Sequence, residues 1–229
     1  MEISAEKTKL MTNSANSIQR EIKDKGQKLR TVSSFKYLGA IVSDKSSKPE
    51  VFSRIAQATA ALTKLKPIWR DKNICLGSKV KLIRSLVISI FLYACESWTL
   101  NAEQEKRTQA FEMKCYRRLL NMSYRDHVTN EEVRRKIQAV IGEYEELLAL
   151  VKKRKLRCFG HVSRSSGLAK TILQGTVKEK RRGRQRKRWE DNTKEWTGMD
   201  FASSTRAAEN RTSWKGIVMK SSVVPQRPS

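Results

Sequence analysis

Beyond Pro49, apolar residues recur every three or four positions through most of the chain, and this spacing constrains the fold more than any other feature. Residues spaced in this way share one face of a helix, which can bury them together. Pro49 suits the first position of such a helix. The first set comprises Phe52, Ile55, Ala58, Leu62, Leu65 and Trp69, with Arg54, Lys64 and Arg70 expected on the surface. The chain is therefore predicted to be mainly α.

Four further helices and a short terminal one follow from the same spacing. They are predicted over residues 78–94, 102–121, 129–139 and 143–157, and through Trp214, Ile217 and Val218. Ser78 is the expected N-cap of the first of these, which is apolar on most sides and is therefore expected at the centre of the core. Thr129 and Glu132 have the spacing of a capping box.

A small β-hairpin is predicted before the helices. Residues 29–32 are the expected first arm, Ser33 and Ser34 a polar break, and residues 34–42 the second arm, in which Phe35, Tyr37 and Ile41 have strand spacing. Another short strand is expected within residues 4–11. It has no upstream partner in the chain, which predicts an unpaired sheet edge.

Basic residues exceed acidic ones by a wide margin, with 48 Lys and Arg against 23 Asp and Glu and a formal net charge of +25. A field of that strength favours a polyanionic partner, nucleic acid before an anionic membrane. Arg107, Lys114 and Arg118 lie seven and four residues apart and therefore share a helical stripe, with Glu112 as the acid near enough to neutralise it. The stripe is either an ordinary solvated face or a surface that faces phosphate.

The densest basic run covers residues 178–188, where eight of eleven residues are Lys or Arg. It leads into Trp189 and Trp196, so it is expected to adjoin an ordered element. Its predicted nucleic-acid-binding residues are Lys180, Arg181, Arg182, Arg184, Arg186, Lys187 and Arg188. The run could serve nuclear import, RNA binding or both.

The sequence shows neither a clear targeting signal nor a usual cofactor-binding motif. No apolar run approaches the roughly 20 residues that a bilayer span needs, and the N-terminus lacks the pattern of a secretory signal. A soluble, intracellular protein is expected, nuclear or cytoplasmic, without membrane partners and with its four cysteines as free thiols. A zinc site from Cys158, His161, Cys115 and His127 has none of the usual paired spacings, so core and surface roles are preferred and no cofactor is expected.

Catalytic motifs are not found in the sequence. Its six aspartates form no Asp-Asp pair or Asp-x-Asp cluster of the kind that holds two metal ions, and no Gly-rich phosphate loop or nucleophile elbow occurs. Residue by residue, the chain is a basic, mainly helical nucleic-acid binder without a visible active site.

Several stretches, taken in order, resemble the later half of the reverse transcriptase (RNA-directed DNA polymerase) of non-LTR, LINE-type retrotransposons. They are residues 2–11 (the palm strand after the catalytic aspartates), 35–39 (the primer-grip hairpin), 93–98 (a helix end in the thumb), and 154–161 with 183–186 and Trp189 (the region beyond the thumb). Each motif alone is weak, whereas five in the family's order are specific. The resemblance covers about residues 1–220.

The resemblance implies roles for particular residues. In such enzymes a lysine at the Lys7 position lies near the incoming nucleotide and assists proton transfer to the leaving pyrophosphate. The hairpin residues Phe35, Lys36, Tyr37, Leu38 and Gly39 would steady the primer end. Thumb helices follow the template and primer backbone, which agrees with the stripe at Arg107, Lys114 and Arg118. RNA and DNA are the implied partners, bound largely without sequence specificity.

The chain departs from the family because it lacks the metal-binding aspartates, which precede the matching region. Without them two Mg²⁺ ions have no site, and polymerisation by this chain alone is not expected. We therefore expect a truncated reverse transcriptase that retains nucleic-acid-binding surfaces and is not itself an enzyme. The alternatives are a complementing subunit, which docks on a separate fingers-and-palm polypeptide through the strand in residues 3–10, and a decayed reading frame that yields no stable protein.

Four segments are expected on this basis. Residues 1–48 would be the end of the palm with the hairpin, and residues 49–125 a helical, thumb-like domain. Residues 126–220 would be a basic helical C-terminal region, and residues 221–229 a disordered tail.

Overall fold

Helices make up most of the chain in the computed structural model, which describes residues 8–11, 22–24, 26–175 and 187–222. The predicted fold class, mainly α with a small β-hairpin, is confirmed. The chain divides into two compact units, Met1–Ser53 and Arg54–Ser229. Across the described residues, no helix has the length and the apolar content that crossing a membrane requires.

The first unit contains short strands. They are β1 (Lys9–Leu10), β2 (Lys23–Asp24), β3 (Gln27–Lys28), β4 (Arg30–Thr31), β5 (Ser34–Tyr37) and β6 (Ala40–Ser43). β1 pairs with β4 in parallel, whereas β2 with β3 and β5 with β6 are antiparallel pairs. The part of the predicted N-terminal strand that the structure describes is thus paired on one side within the chain.

The hairpin differs from the prediction, because both of its strands lie almost entirely within the stretch that was expected to be its second arm. Leu38 and Gly39 both have positive φ, 47° and 83°, and a two-residue turn of this kind reverses the chain between β5 and β6. Phe35 lies opposite Val42 in the resulting ladder. The prediction that residues 29–32 form the first arm was therefore wrong. These residues contribute β4, which pairs with β1 instead.

The helices follow in chain order. They are α1 (Lys48–Lys64), α2 (Lys66–Arg70), α3 (Leu76–Leu82), a π-helix (Ile83–Ile88), α4 (Ser89–Phe91), a 3₁₀ turn (Cys95–Ser97), α5 (Ala102–Leu119), a 3₁₀ turn (Tyr124–Asp126), α6 (Asn130–Ile141), α7 (Leu147–Arg164), α8 (Leu168–Gln174), α9 (Trp189–Thr197), α10 (Phe201–Glu209) and α11 (Arg211–Ser221). The predicted cap of α6 is confirmed, since the Thr129 hydroxyl accepts from the N–H of Glu132 at 3.2 Å. Near the C-terminus one helix was predicted, and α10 and α11 are present.

The helix predicted over residues 78–94 is less regular and less central than expected. It begins at Leu76 with Cys75 as N-cap, so the prediction of Ser78 in that role was wrong. Leu86 is 43% exposed in the π-helical segment. The central helix is α7, which packs against α5, α8, α9, α10, α11 and the 3₁₀ turn before α5.

Arg54 is a second correction, because it was expected on the surface and is buried. Its guanidinium lies 4.4 Å from the centroid of the Tyr93 ring, close enough for a cation–π contact. A charged side chain on the inner side of α1 is tolerated there because the aromatic face replaces part of its hydration.

A buried lysine on α7 joins three parts of the helical unit. The Lys155 ammonium is fully buried and donates to the Trp98 carbonyl at 2.6 Å and to Asn192 Oδ1 at 2.9 Å. It also lies 4.8 Å from the ring centroid of Trp189 and 5.5 Å from that of Trp196. Both indoles belong to α9, so this one side chain ties α9 and the segment before α5 to the central helix.

Asn192 completes this cluster. Its Oδ1 accepts from the N–H of Leu100 at 2.8 Å, and its Nδ2 donates to the Leu100 carbonyl at 2.8 Å. The side-chain amide therefore bonds the backbone before α5 much as a neighbouring strand would. Burial lowers the pKa of Lys155 to about 7, and the charge of Lys187 acts in the same direction.

A close approach between α7 and α11 accounts for the glycine in the sequence Cys-Phe-Gly-His. The indole of Trp214 lies against Gly160, where an added Cβ would be 2.3 Å from Trp214 Nε1 and 2.4 Å from Cδ1. That Nε1 donates to the Leu156 carbonyl at 2.8 Å. Because the indole is held by this bond and is 3% exposed, it has little freedom to move aside.

Replacing Gly160→Ala is expected to lower the free energy of unfolding by about 1–3 kcal/mol, because the methyl group overpacks the contact and displaces the indole from its hydrogen bond. Urea denaturation followed by tryptophan fluorescence measures this. Gly216→Ala on α11 is the matched control, since no atom lies within 4 Å of its added Cβ. There a gain of about 0.5–1 kcal/mol is expected from helix propensity. Equal effects of the two changes would contradict the packing argument.

Candidate nucleic-acid interface

The predicted basic stripe lies on the outer face of α5. Arg107, Lys114 and Arg118 are all exposed, while Phe111 and Cys115 on the opposite side are buried. The amphipathic pattern of the helix thus separates its cations from the core. Their role toward nucleic acid remains a prediction.

Glu112 does not lie with this stripe, which corrects the expectation that it would neutralise the three cations. Its carboxylate is 1% exposed and faces inward, where it accepts from the N–H of Leu147 at the start of α7. The stripe and the acid occupy opposite sides of the same helix.

Two neighbouring depressions extend the stripe into a wider surface, called here the basic groove. The larger, of about 610 Å³, is lined by Ala110, Lys114, Arg117, Arg118, Met122, Ser123, His127 and Val128. The smaller, of about 230 Å³, is lined by Lys66, Trp69, Arg70, Arg117, Arg118, Asn121 and Met122. Arg107 lies outside both sets of lining residues. Helices α2 and α5, together with the loop after α5, therefore form one cationic surface.

Two arginines of the groove are held in place by hydrogen bonds. Arg117 Nη2 donates to the Val128 carbonyl at 2.9 Å, and Arg118 Nη1 donates to the Thr63 hydroxyl at 3.1 Å. A guanidinium has five N–H donors, so each retains donors for a phosphate. The sequence did not suggest Lys66, Arg70 or Arg117, because nothing in it indicates that α2 lies beside the end of α5.

The loop after α5 has a defined backbone. Asn121 and His127 both have positive φ, 52° and 46°. Between them the carboxylate of Asp126 accepts from the N–H of Ser123 at 2.6 Å. This turn carries Met122 and His127 into the wall of the larger depression.

The hairpin is a separate predicted surface in the first unit. At its tip Tyr37 is 60% exposed and Leu38 is 75% exposed, and Lys36 and Gly39 are exposed beside them. Phe35 is half-buried, with the Lys9 ammonium 5.5 Å from its ring centroid. The tip thus presents an aromatic and an apolar side chain to solvent, and its role toward a nucleic-acid end stays a prediction.

Most of the basic run lies outside the described residues, as does Lys7. The run's predicted binding residues in that part of the chain are Lys180, Arg181, Arg182, Arg184 and Arg186. Lys187 and Arg188 are described and form ion pairs with Glu195 and Glu190 of α9. The predicted connection of the run to an ordered element is confirmed, since α9 begins at the next residue.

The cysteines lie apart from one another. All four belong to the described part of the chain and are free, and burial raises the pKa of Cys95 and of Cys115 to about 12. Cys158 is half-buried, and His161, one helical turn further along α7, is exposed. Within the described ranges, no three His, Cys, Asp or Glu side chains come together as a metal site would require.

Glu112 belongs to a cluster of ionisable side chains on the inner side of α5. Burial raises the pKa of Glu112 to about 7, and the Glu146 charge acts in the same direction, while the Leu147 N–H opposes it. Arg134 Nε lies 3.2 Å from Glu146 Oε1. The Tyr144 ring centroid is 5.5 Å from the Arg84 guanidinium. The cluster is a property of the core and does not face the groove's cations.

Comparison with known proteins gives one informative result. A protein of Caenorhabditis elegans named as transposon-derived is 25% identical to this chain over 237 residues, which cover 96% of this chain and 83% of that protein. No protein-family model and no solved structure matches the chain. The similarity indicates a transposon-related origin.

The substitution Glu112→Gln is expected to remove a pH dependence of stability. Because the folded-state pKa is about 7 and the ordinary value 4.5, the native protein should lose stability as pH rises through that window. Relative to the variant, the loss is up to about 3 kcal/mol, since each pH unit is worth about 1.36 kcal/mol. Urea midpoints at pH 5 and pH 8 measure it.

The control is Glu143→Gln, at an exposed position outside any helix. It should retain the pH dependence of the unchanged protein. If Glu112→Gln retained it as well, a buried proton on Glu112 would be excluded.

Proposed function

We propose that this chain binds the backbone of RNA and DNA, largely without sequence preference, through the basic groove. The observation that carries the proposal is the grouping of Lys66, Arg70, Lys114, Arg117 and Arg118 around two adjoining depressions. Cations gathered along a concave surface neutralise successive phosphates and release counterions, which is the main source of non-specific affinity.

We further propose that the chain derives from the thumb and C-terminal region of a non-LTR retrotransposon reverse transcriptase. The transposon-derived relative supports the coarser part of this statement. The finer part rests on the ordered motifs, among them the hairpin at Phe35, Lys36, Tyr37, Leu38 and Gly39, whose exposed tip suits a primer grip.

Polymerisation by this chain alone is not part of the proposal. Two-metal phosphoryl transfer requires carboxylates that hold both ions a few ångströms apart. The aspartates of the sequence are dispersed, and the described residues contain no cluster of three metal-ligating side chains. A complementing role with a separate fingers-and-palm polypeptide is compatible with the same groove, and RNA or DNA remains the ligand in both cases.

The double substitution Lys114→Gln with Arg118→Gln tests the groove. Fluorescence anisotropy with a labelled single strand should show weaker binding, with the log–log salt slope reduced by about 1.4, since each phosphate contact contributes about 0.7 on single strands. On a duplex the reduction should be about 1.8, at about 0.9 for each contact.

Lys215→Gln with Lys220→Gln is the matched control, because it removes the same charge from exposed positions on α11. It should leave the slope nearly unchanged. Equal losses in the two variants would assign binding to net charge alone, and no binding by the unchanged chain at low salt would reject the proposal.

Primer extension tests the absence of polymerase activity. The purified chain, incubated with Mg²⁺, nucleotides and a primed RNA template, is expected to add no nucleotides, while an active reverse transcriptase serves as positive control. Magnesium-dependent extension by the chain alone would refute this. Extension that needs a separately made fingers-and-palm polypeptide of the same element would establish the complementing role.

A further inference from the structure

We infer that the basic groove takes single-stranded nucleic acid, with one base turned out of the stack into its larger depression. The inference rests on the proposed function and adds to it the form of the ligand. It follows from the chemistry of the depression, whose lining contains both apolar and cationic side chains.

Part of the lining of the larger depression is apolar. Ala110, Met122 and Val128 line the depression together with the cations Lys114, Arg117 and Arg118. A phosphodiester needs only the cations, and it gains nothing from a concave apolar surface. A nucleobase has both an apolar face and polar edges, so it suits such a surface with charged walls.

The platform for the base consists of guanidinium planes. Trp69 in the smaller depression cannot serve, because it is 1% exposed and its Nε1 already donates to the Leu62 carbonyl at 2.8 Å. Arg117 and Arg118 are held by Val128 and Thr63, so their planes are preorganised before any ligand binds. Unstacked bases lie on arginine planes as they do on aromatic rings.

Cationic side chains on both sides of this platform are placed to bind the phosphates that flank the base. Arg117, Arg118 and Met122 line both depressions, so these residues form the boundary between them. Lys66 and Arg70 lie on one side of that boundary and Lys114 on the other. A strand crossing it would place one base in the larger depression and phosphates near cations on both sides.

A duplex cannot use this arrangement without extruding a base, which requires unpairing and unstacking. Electrostatics alone predicts the opposite preference, because duplex DNA has the higher charge density and the steeper counterion release. A preference for single strands would therefore identify the base contact and not the net charge.

The experiment compares four labelled ligands of equal length at one low salt concentration: single-stranded DNA, single-stranded RNA, the DNA duplex and an abasic DNA strand. We expect a single strand of either sugar to bind about tenfold more tightly than the abasic strand, the size of one stacking contact, and also more tightly than the duplex. A duplex or abasic strand that binds as tightly as the single strands would overturn the inference and leave the proposed function standing.

Ala110→Leu narrows the larger depression with an apolar side chain and does not change the charge. We expect it to abolish the preference for single strands, because the added side chain occupies the space that the base would take. Ala139→Leu, at an exposed position on α6, is the matched control and should retain the preference. An unchanged preference in Ala110→Leu would overturn the inference, whereas no binding of any ligand at low salt would overturn the proposed function itself.

Discussion

The helical unit depends on one buried ammonium group. An uncompensated charge in the interior is strongly unfavourable, so Lys155 requires acceptors and aromatic faces around it, and these come from the segment at Trp98 and from Asn192 and the indoles of α9. If either partner segment moved away, the Lys155 amino group would lose one of its hydrogen-bond acceptors. The interaction therefore favours one arrangement of α9, α7 and the chain before α5. A cluster of apolar side chains would be less selective among neighbouring arrangements.

Helix α5 connects this core to the exposed chemistry. Its inner side contributes aromatic and apolar residues and the buried Glu112, and its outer side contributes Lys114 and Arg118. The capping box at Asn101 and Gln104 fixes where the helix begins, immediately after the backbone that Asn192 binds. The position of the basic groove is thus set by the same contacts that order the core, although no residue of the groove belongs to the Lys155 cluster.

Much of the helical content could be predicted from the sequence, because a period of three to four apolar residues is a local property. Features that depend on distant partners could not. Helix α7 extends to Arg164, where Gly160 contacts an indole from α11, and Arg54 is buried against the Tyr93 ring. The hairpin was misplaced because Leu38 adopts a left-handed conformation that its residue type does not favour. The stripe on α5 could be predicted because its residues belong to one helix. The groove could not, because it also requires α2, and the sequence does not indicate that α2 lies beside α5.

The contact between Gly160 and Trp214 also fixes the register of two helices. The faces of a helix repeat about every fourth residue, so packed helices often have more than one way to slide along each other by a turn. On α7 the positions one turn to either side of Gly160 are Leu156 and Arg164, neither of which leaves room for an indole. The close contact at Gly160 therefore favours the observed position of α11 along α7. The two positions share one volume, so a larger residue at 160 is best accommodated by a smaller one at 214, and the two changes together should cost less stability than the sum of each alone.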